Sequence, residues 1–213
     1  MQDDLFGNMN FVVVAALFEG GLAVLAVCVG WALDQPALAT FQFNLIGLGW
    51  GFLATLPPLG LLWLCVKAPW PPFARIIQTL DETFIPLFRQ CRVFELAVIS
   101  LLAGLGEEML FRSIVQGWTA EKVGGPYGMW AGLAVSAAIF GLLHGITPTY
   151  ALLAAAIGLY FGVIWLAADN LLVPITTHAL YDFLALQYFL RMRKTPPESE
   201  QKNDRDTSEE IGD

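Results

Sequence analysis

Six apolar runs follow one another along the chain, at residues 11–33, 45–66, 93–118, 127–146, 150–168 and 171–190. Each is near the ~20 residues that an α-helix needs to cross a bilayer. The runs are continuous rather than alternating, which argues against strands. The expected fold is therefore all-α: a polytopic transmembrane helix bundle of about six spans. Composition supports this, since 56% of the 213 residues are hydrophobic and only 14% charged, against roughly 25% charged in soluble domains. Residues 191–213 hold 12 of the 30 charged side chains, and the rest of the chain has too few to cover a soluble globule. An ordinary soluble enzyme, a disordered chain and a disulfide scaffold are excluded. The net charge of −8 comes partly from the tail, and no basic patch suggests nucleic acid as a partner.

The loops predict an orientation. Residues 67–92 carry Lys67, Arg75, Arg89 and Arg92, and the tail begins with Arg191, Arg193 and Lys194, whereas the opposite loops carry only Lys122. By the positive-inside rule both termini and the 67–92 loop face the cytoplasm. A multi-pass protein of the cell membrane is expected, without a signal peptide, because the N-terminus lacks a basic leader. Pro57-Pro58 should kink the second run rather than end it. Phe73, Ile76, Ile77, Leu80 and Phe84 recur at helical spacing, with Pro71-Pro72 near the start and Pro86 near the end. Two readings stand for that helix: interfacial and amphipathic, or packed on the bundle. Cys28, Cys65 and Cys91 have no CxxC spacing and read as structural thiols. Residues 191–213 read as a disordered tail.

Ionisable groups in the hydrocarbon region cost roughly 2.5–3.5 kcal/mol each, so those present need a reason. The third run contains Glu107, Glu108 and Arg112, the fourth His144, the sixth His178 and Asp182, and the first Glu19. His144 and His178 are the only histidines of the chain. Glu108 and Arg112 are four apart and can pair on one helix face, while Glu107 is turned about 100° away. A self-neutralised Glu–Arg pair is the plainer reading, but two acids with one base leave an acid over. Phe140 lies one turn before His144, where its ring can pack on the imidazole. His178 and Asp182 share a face, and a pair that only locks packing is the plainer reading there. Together these groups describe a polar cavity in which a carboxylate takes a proton from water, and histidines orient that water, donate to an oxyanion or bind a metal. Glu19 reads first as an interhelical hydrogen-bond former and second as a residue of substrate access.

Glu107-Glu108…Arg112, Phe140…His144 and His178…Asp182, in this order on successive helices, resemble the EExxxR, FxxxH and HxxxN/B motifs of the CPBP intramembrane protease family. That family includes the CAAX prenyl proteases of the Rce1 type and bacteriocin-processing or self-immunity (Abi) proteins. The resemblance covers about residues 93–190 and implies a four-helix catalytic core there, preceded by two helices and a cytoplasmic loop in 1–92. It implies an intramembrane endopeptidase acting on a membrane-associated peptide or protein. It further implies that Glu107 activates water, with His144 helping to hold it. Glu108 and Arg112 would fix the helix, and His178 and Asp182 would stand where the family binds the oxyanion. Members are often classed as metalloproteases, yet a metal-independent, glutamate-dependent mechanism is favoured for the Rce1 type. No cofactor is firmly expected; a divalent ion such as zinc would be held by Glu107, His144 and His178.

Asp182 departs from the Asn of many members, and an ionised Asp accepts without donating. Three readings stand open: a protonated, donating Asp182; an Asp182 that orients His178 and leaves the imidazole as donor; or an Asp182 that helps bind metal. Depth raises another question. At 1.5 Å per residue His144 lies only about 4 Å from the cytoplasmic end of its run, while Glu107 lies about 21 Å in. Either the run boundaries are off, or the fourth helix ends inside the membrane against a cavity. The rivals to proteolysis are a non-catalytic binding or immunity protein on the same fold, a proton-coupled transporter, and a bis-histidine haem protein.

Overall fold

The computed structural model describes residues 2–192, with side chains described for 11–191. The expected tail, 191–213, lies almost wholly outside them. Ten α-helices carry the fold among the described residues: α1 Gln2–Leu33, α2 Leu45–Ala54, α3 Leu56–Lys67, α4 Pro71–Thr79, α5 Ile85–Phe88, α6 Val93–Glu108, α7 Gly117–Val123, α8 Gly128–Leu143, α9 Pro148–Ala168 and α10 Leu172–Gln187. Three π-helical stretches interleave them, Leu80–Phe84, Met109–Gln116 and Tyr188–Met192. No strand occurs among these residues.

Four helical stretches are long and apolar enough to cross a membrane: Phe11–Leu33, Leu45–Lys67, Gly125–Leu143 and Pro148–Ala168. The other two expected spans, 93–118 and 171–190, are helical but are not among these four. They carry the charged groups, and they are packed inside. Helix α6 lies between α1 and α10, α10 also packs on α2, and α8 runs along α9. The exterior is apolar, with Trp31, Leu45, Ile46, Trp63 and Leu142 exposed. Glu108, Arg112, Gln116, Ser136 and Thr177 are fully buried. Such a surface suits lipid rather than water, and the described part of the chain is a polytopic helical bundle.

Two glycines bring three helices to close approach around the polar group. A Cβ on Gly104 would stand 2.8 Å from the Ala179 backbone nitrogen on α10, and one on Gly106 would collide with the Glu19 carbonyl on α1. Glycine is the residue that permits such backbone contact. Pro57 and Pro58 occupy the first turn of α3, where a missing N–H costs nothing. The second run bends at Thr55 instead of ending, since Leu59 N–H still donates to the Thr55 carbonyl. The Thr55 hydroxyl donates to the Gly51 carbonyl at 2.9 Å, and Thr177 of α10 donates to the same oxygen at 3.1 Å.

The 71–88 segment is packed on the bundle. Ile77 and Ile85 bury against Phe189, Leu62 and Val66. The single helix read from apolar spacing is in fact α4, a π-turn and α5. Helix α8 ends at Leu143 with His144 as its C-cap, and Pro148 starts α9. The shallow position of His144 is thus the end of a helix meeting a cavity. Cys65 and Cys91 are buried and Cys28 is exposed, all three as free thiols.

Candidate active site

Glu107 and Glu108 end α6 and diverge as their 100° separation predicts. Glu108 turns into a fully buried polar ladder. Its Oε2 lies 3.0 Å from Arg112 Nε, and its Oε1 accepts from His178 Nδ1 at 2.9 Å. Arg112 Nη1 also donates to the Gly158 carbonyl at 2.7 Å, and Gln116 Nε2 donates to the Gly162 carbonyl at 3.3 Å. Glycine lets α9 approach closely at both positions: a Cβ on Gly162 would stand 2.5 Å from Gln116 Oε1 and 2.7 Å from Leu133, and one on Gly158 3.1 Å from Phe140. The pair is therefore no isolated i,i+4 bridge: it ties α6 to α9 and α10. The π-helical stretch starts directly after Glu108, a placement frequent at functional sites.

Glu107 faces the other way, into a cavity of about 330 Å³. Its Oε2 is buried without a hydrogen bond among the described residues, and it lies 3.7 Å from His144 Nε2. His144 Nδ1 donates to the Phe140 carbonyl at 2.8 Å, so a neutral ring presents its Nε2 lone pair toward Glu107. Phe140 stacks on His144 at 4.3 Å between ring centres, and Phe161 stacks on His178 at 5.0 Å. His178 Nε2 lies 3.4 Å from Asp182 Oδ2. Both nitrogens of His178 therefore face carboxylates.

Every candidate residue read from sequence falls in one connected group. Glu107, His144, His178 and Asp182 line the cavity, and Glu108 and Arg112 stand behind it. Glu19 lines the same cavity, its Oε2 buried and without a hydrogen bond, so that oxygen does not form the expected interhelical contact. Ser100, Tyr150 and Tyr181 line it too and were not legible as site residues. Gln116, one turn beyond Arg112, was legible in principle from the four-residue repeat Glu108, Arg112, Gln116. The remaining wall is apolar and includes Leu61, Ile76, Ile77 and Phe84 of the α3–α5 region.

The donor set does not fit a divalent metal. Each histidine nitrogen except His144 Nε2 is occupied by a carbonyl or carboxylate, and no group of three or more His, Cys, Asp or Glu has ligating spacing among the described residues.

Residues 89–184 match the family model described as Type II CAAX prenyl endopeptidase Rce1-like. That interval includes all seven motif residues, Glu107 through Asp182. No curated protein and no solved structure matches the chain. The match covers less than half of the chain, and it makes this region similar to CAAX-type endopeptidases, within a chain that has four helical stretches long and apolar enough to cross a membrane.

Proposed function

We propose that this chain, whose residues 89–184 form an Rce1-like type II CAAX prenyl endopeptidase domain, hydrolyses a peptide bond with a water activated by Glu107. The observation that carries the reading is the Glu107 carboxylate, buried at the cavity wall with Oε2 free of hydrogen bonds and His144 Nε2 at 3.7 Å. A water between the two has a proton acceptor on one side and a second polar partner on the other. Its proton passes to Glu107 as its oxygen bonds to the substrate carbonyl carbon, and the carbonyl electrons move onto oxygen. Glu107 then returns the proton to the amide nitrogen as the C–N bond breaks, leaving a carboxyl and an amine. General base and acid of this kind contribute about 10²–10⁴-fold.

Asp182 acts in this scheme by orienting His178, which Glu108 holds from the other side. The apolar wall favours an apolar, membrane-embedded substrate segment. In this reading catalysis uses no metal, because three of the four histidine nitrogens already face a carbonyl or carboxylate and only His144 Nε2 is left to ligate. Both termini face the cytoplasm, at the plasma membrane.

The test incubates detergent-purified protein and Glu107→Gln with a library of apolar peptides, with and without chelator. Products are read by mass spectrometry. Wild-type cleavage should fall at least about 10²-fold in the variant and survive the chelator. Equal cleavage by both proteins would remove Glu107 from the mechanism. Loss in the chelator lane, restored by added zinc, would overturn the metal-free reading.

A further inference from the structure

We infer that Glu19 and Ser100 form a water-holding subsite that keeps water at hand for Glu107 while an apolar substrate segment fills the rest of the cavity. The inference deepens the hydrolytic reading above and rests on it. Hydrolysis consumes a water at every turnover. The wall that α3, α4 and α5 give the cavity is apolar, with Leu61, Ile76, Ile77 and Ile85 in it. A substrate segment that suits this wall expels water from it. Water is then retained only by polar groups elsewhere in the same cavity.

Two such groups are unused by the mechanism. Ser100 is 2% exposed and lines the cavity, and its Oγ has no hydrogen-bond partner among the described residues. Glu19 lines the cavity too, and its Oε2 is likewise buried and unpartnered among them. Buried polar groups left unpaired are costly and few in folded proteins. Among the described residues Glu19 is the one residue that α1 gives to the cavity wall. Packing alone would favour an apolar side chain there, as at Ala23 and Ala26 further along α1, which pack in a cluster with Met109.

Helix geometry places both groups on the approach to Glu107. Ser100 and Glu107 are seven residues apart on α6, so they share a face, and Ala103 lines the cavity between them. Counted from Val93, where α6 begins, Ser100 lies about 10 Å along the helix and Glu107 about 21 Å. Helices α1 and α6 run parallel, because their close approaches rise together: Gly20 with Leu102, Gly106 with the Glu19 carbonyl and Ala23, Gly30 with Ile114. The Glu19 carbonyl abuts Gly106, and side chains tilt toward the start of their helix. The Glu19 carboxylate therefore falls in height between Ser100 and Glu107. A water there can accept from and donate to Ser100 and donate to Glu19, within the two to four partners that a buried water needs. The cavity of about 330 Å³ has room for several such waters. When the water between Glu107 and His144 is spent, one from this subsite replaces it, with no bond made or broken in the transfer. Glu19 and Ser100 are positioning residues in this scheme.

The test uses the full chain in lipid nanodiscs as wild type, Glu19→Leu, Glu19→Gln, Ser100→Ala and Glu107→Gln. X-ray footprinting generates hydroxyl radicals from bound water, and mass spectrometry reads the oxidation of residues 99–103 independently of turnover. Wild type and Glu19→Gln should be oxidised there, since an amide also holds water. Glu19→Leu and Ser100→Ala should lose the signal, with the thermal midpoint no lower. On an apolar peptide that wild type cleaves, Glu19→Leu should lose about tenfold in kcat, the order of one hydrogen bond, with KM unchanged, and Glu19→Gln should recover it. Wild type without oxidation at 99–103, or Glu19→Leu oxidised as wild type is, overturns the subsite. A rise in KM that Glu19→Gln does not correct would show the carboxylate contacting a cationic substrate group, and overturns it as well. The expected oxidation pattern in a protein whose Glu107→Gln variant cleaves as fast as wild type keeps the water site and overturns only the hydrolytic reading.

Discussion

Arg112 is the residue on which the interior electrostatics turn. It is fully buried, and it neutralises Glu108 while reaching across to the Gly158 carbonyl. Removing one member of a buried pair leaves a charge without compensation, which costs about 3–5 kcal/mol. Arg112→Leu should therefore lower stability by that order, read as the thermal midpoint in detergent. Arg112→Lys should recover only part, because an ammonium lacks the planar fork that serves Glu108 and Gly158 together. Full stability in Arg112→Leu would show that Glu108 needs no cation. The spacing of Glu108 and Arg112 was readable because i,i+4 neighbours share a face whatever the tertiary fold. The Glu108–His178 bond was not, because it spans 70 residues and depends on how α6 meets α10.

At the scale of elements, some glycines set the distances between helices and others do not. Gly104 meets backbone and Cβ atoms of Ala179, while a Cβ on Gly60, inside α3, would meet nothing within 4 Å. Gly104→Ala should force α6 and α10 apart, costing about 1–3 kcal/mol by overpacking, and should reduce peptide cleavage because Glu107 and His178 sit on those two helices. Gly60→Ala should instead gain up to ~1 kcal/mol, since alanine is the better helix former. Paired melting curves check both signs, and a stabilised Gly104→Ala would refute the close approach. Helix existence was legible from apolar run length, and the Pro57-Pro58 bend from the proline pair. The π-helical stretches were not, since nothing in Met109–Gln116 distinguishes a wider turn from an α-helical one in sequence. Within Met109–Gln116 the wider turns coincide with the contacts that Arg112 and Gln116 make with α9, which no local pattern encodes.

Across the whole molecule, the four most apolar helical stretches surround two that carry charge, and this is why the six runs of the sequence divide into two kinds. The charged helices pass the polar ladder through the interior because their neighbours, not lipid, contact it. Residues 93–123 form one unbroken helical stretch of α6, the π-helical turns and α7, roughly 46 Å long at about 1.5 Å per residue and therefore longer than a ~30 Å hydrocarbon core. The 67–92 segment and the α7–α8 turn consequently fall on opposite faces of the membrane. The positive-inside rule predicts the cytoplasmic side for the former, which carries the basic residues. Gln78 and Glu121 are exposed positions on the two sides. In a chain freed of Cys28, Cys65 and Cys91, Gln78→Cys should react with a membrane-impermeant thiol reagent in inside-out vesicles and not in intact cells, and Glu121→Cys should do the reverse. Labelling of both from one side would break the rod-across-the-membrane arrangement, and with it the position of Glu107 partway along a spanning helix. Labelling from opposite sides but with the faces exchanged would keep the bundle and invert its orientation, placing the α4–α5 wall of the cavity toward the outside.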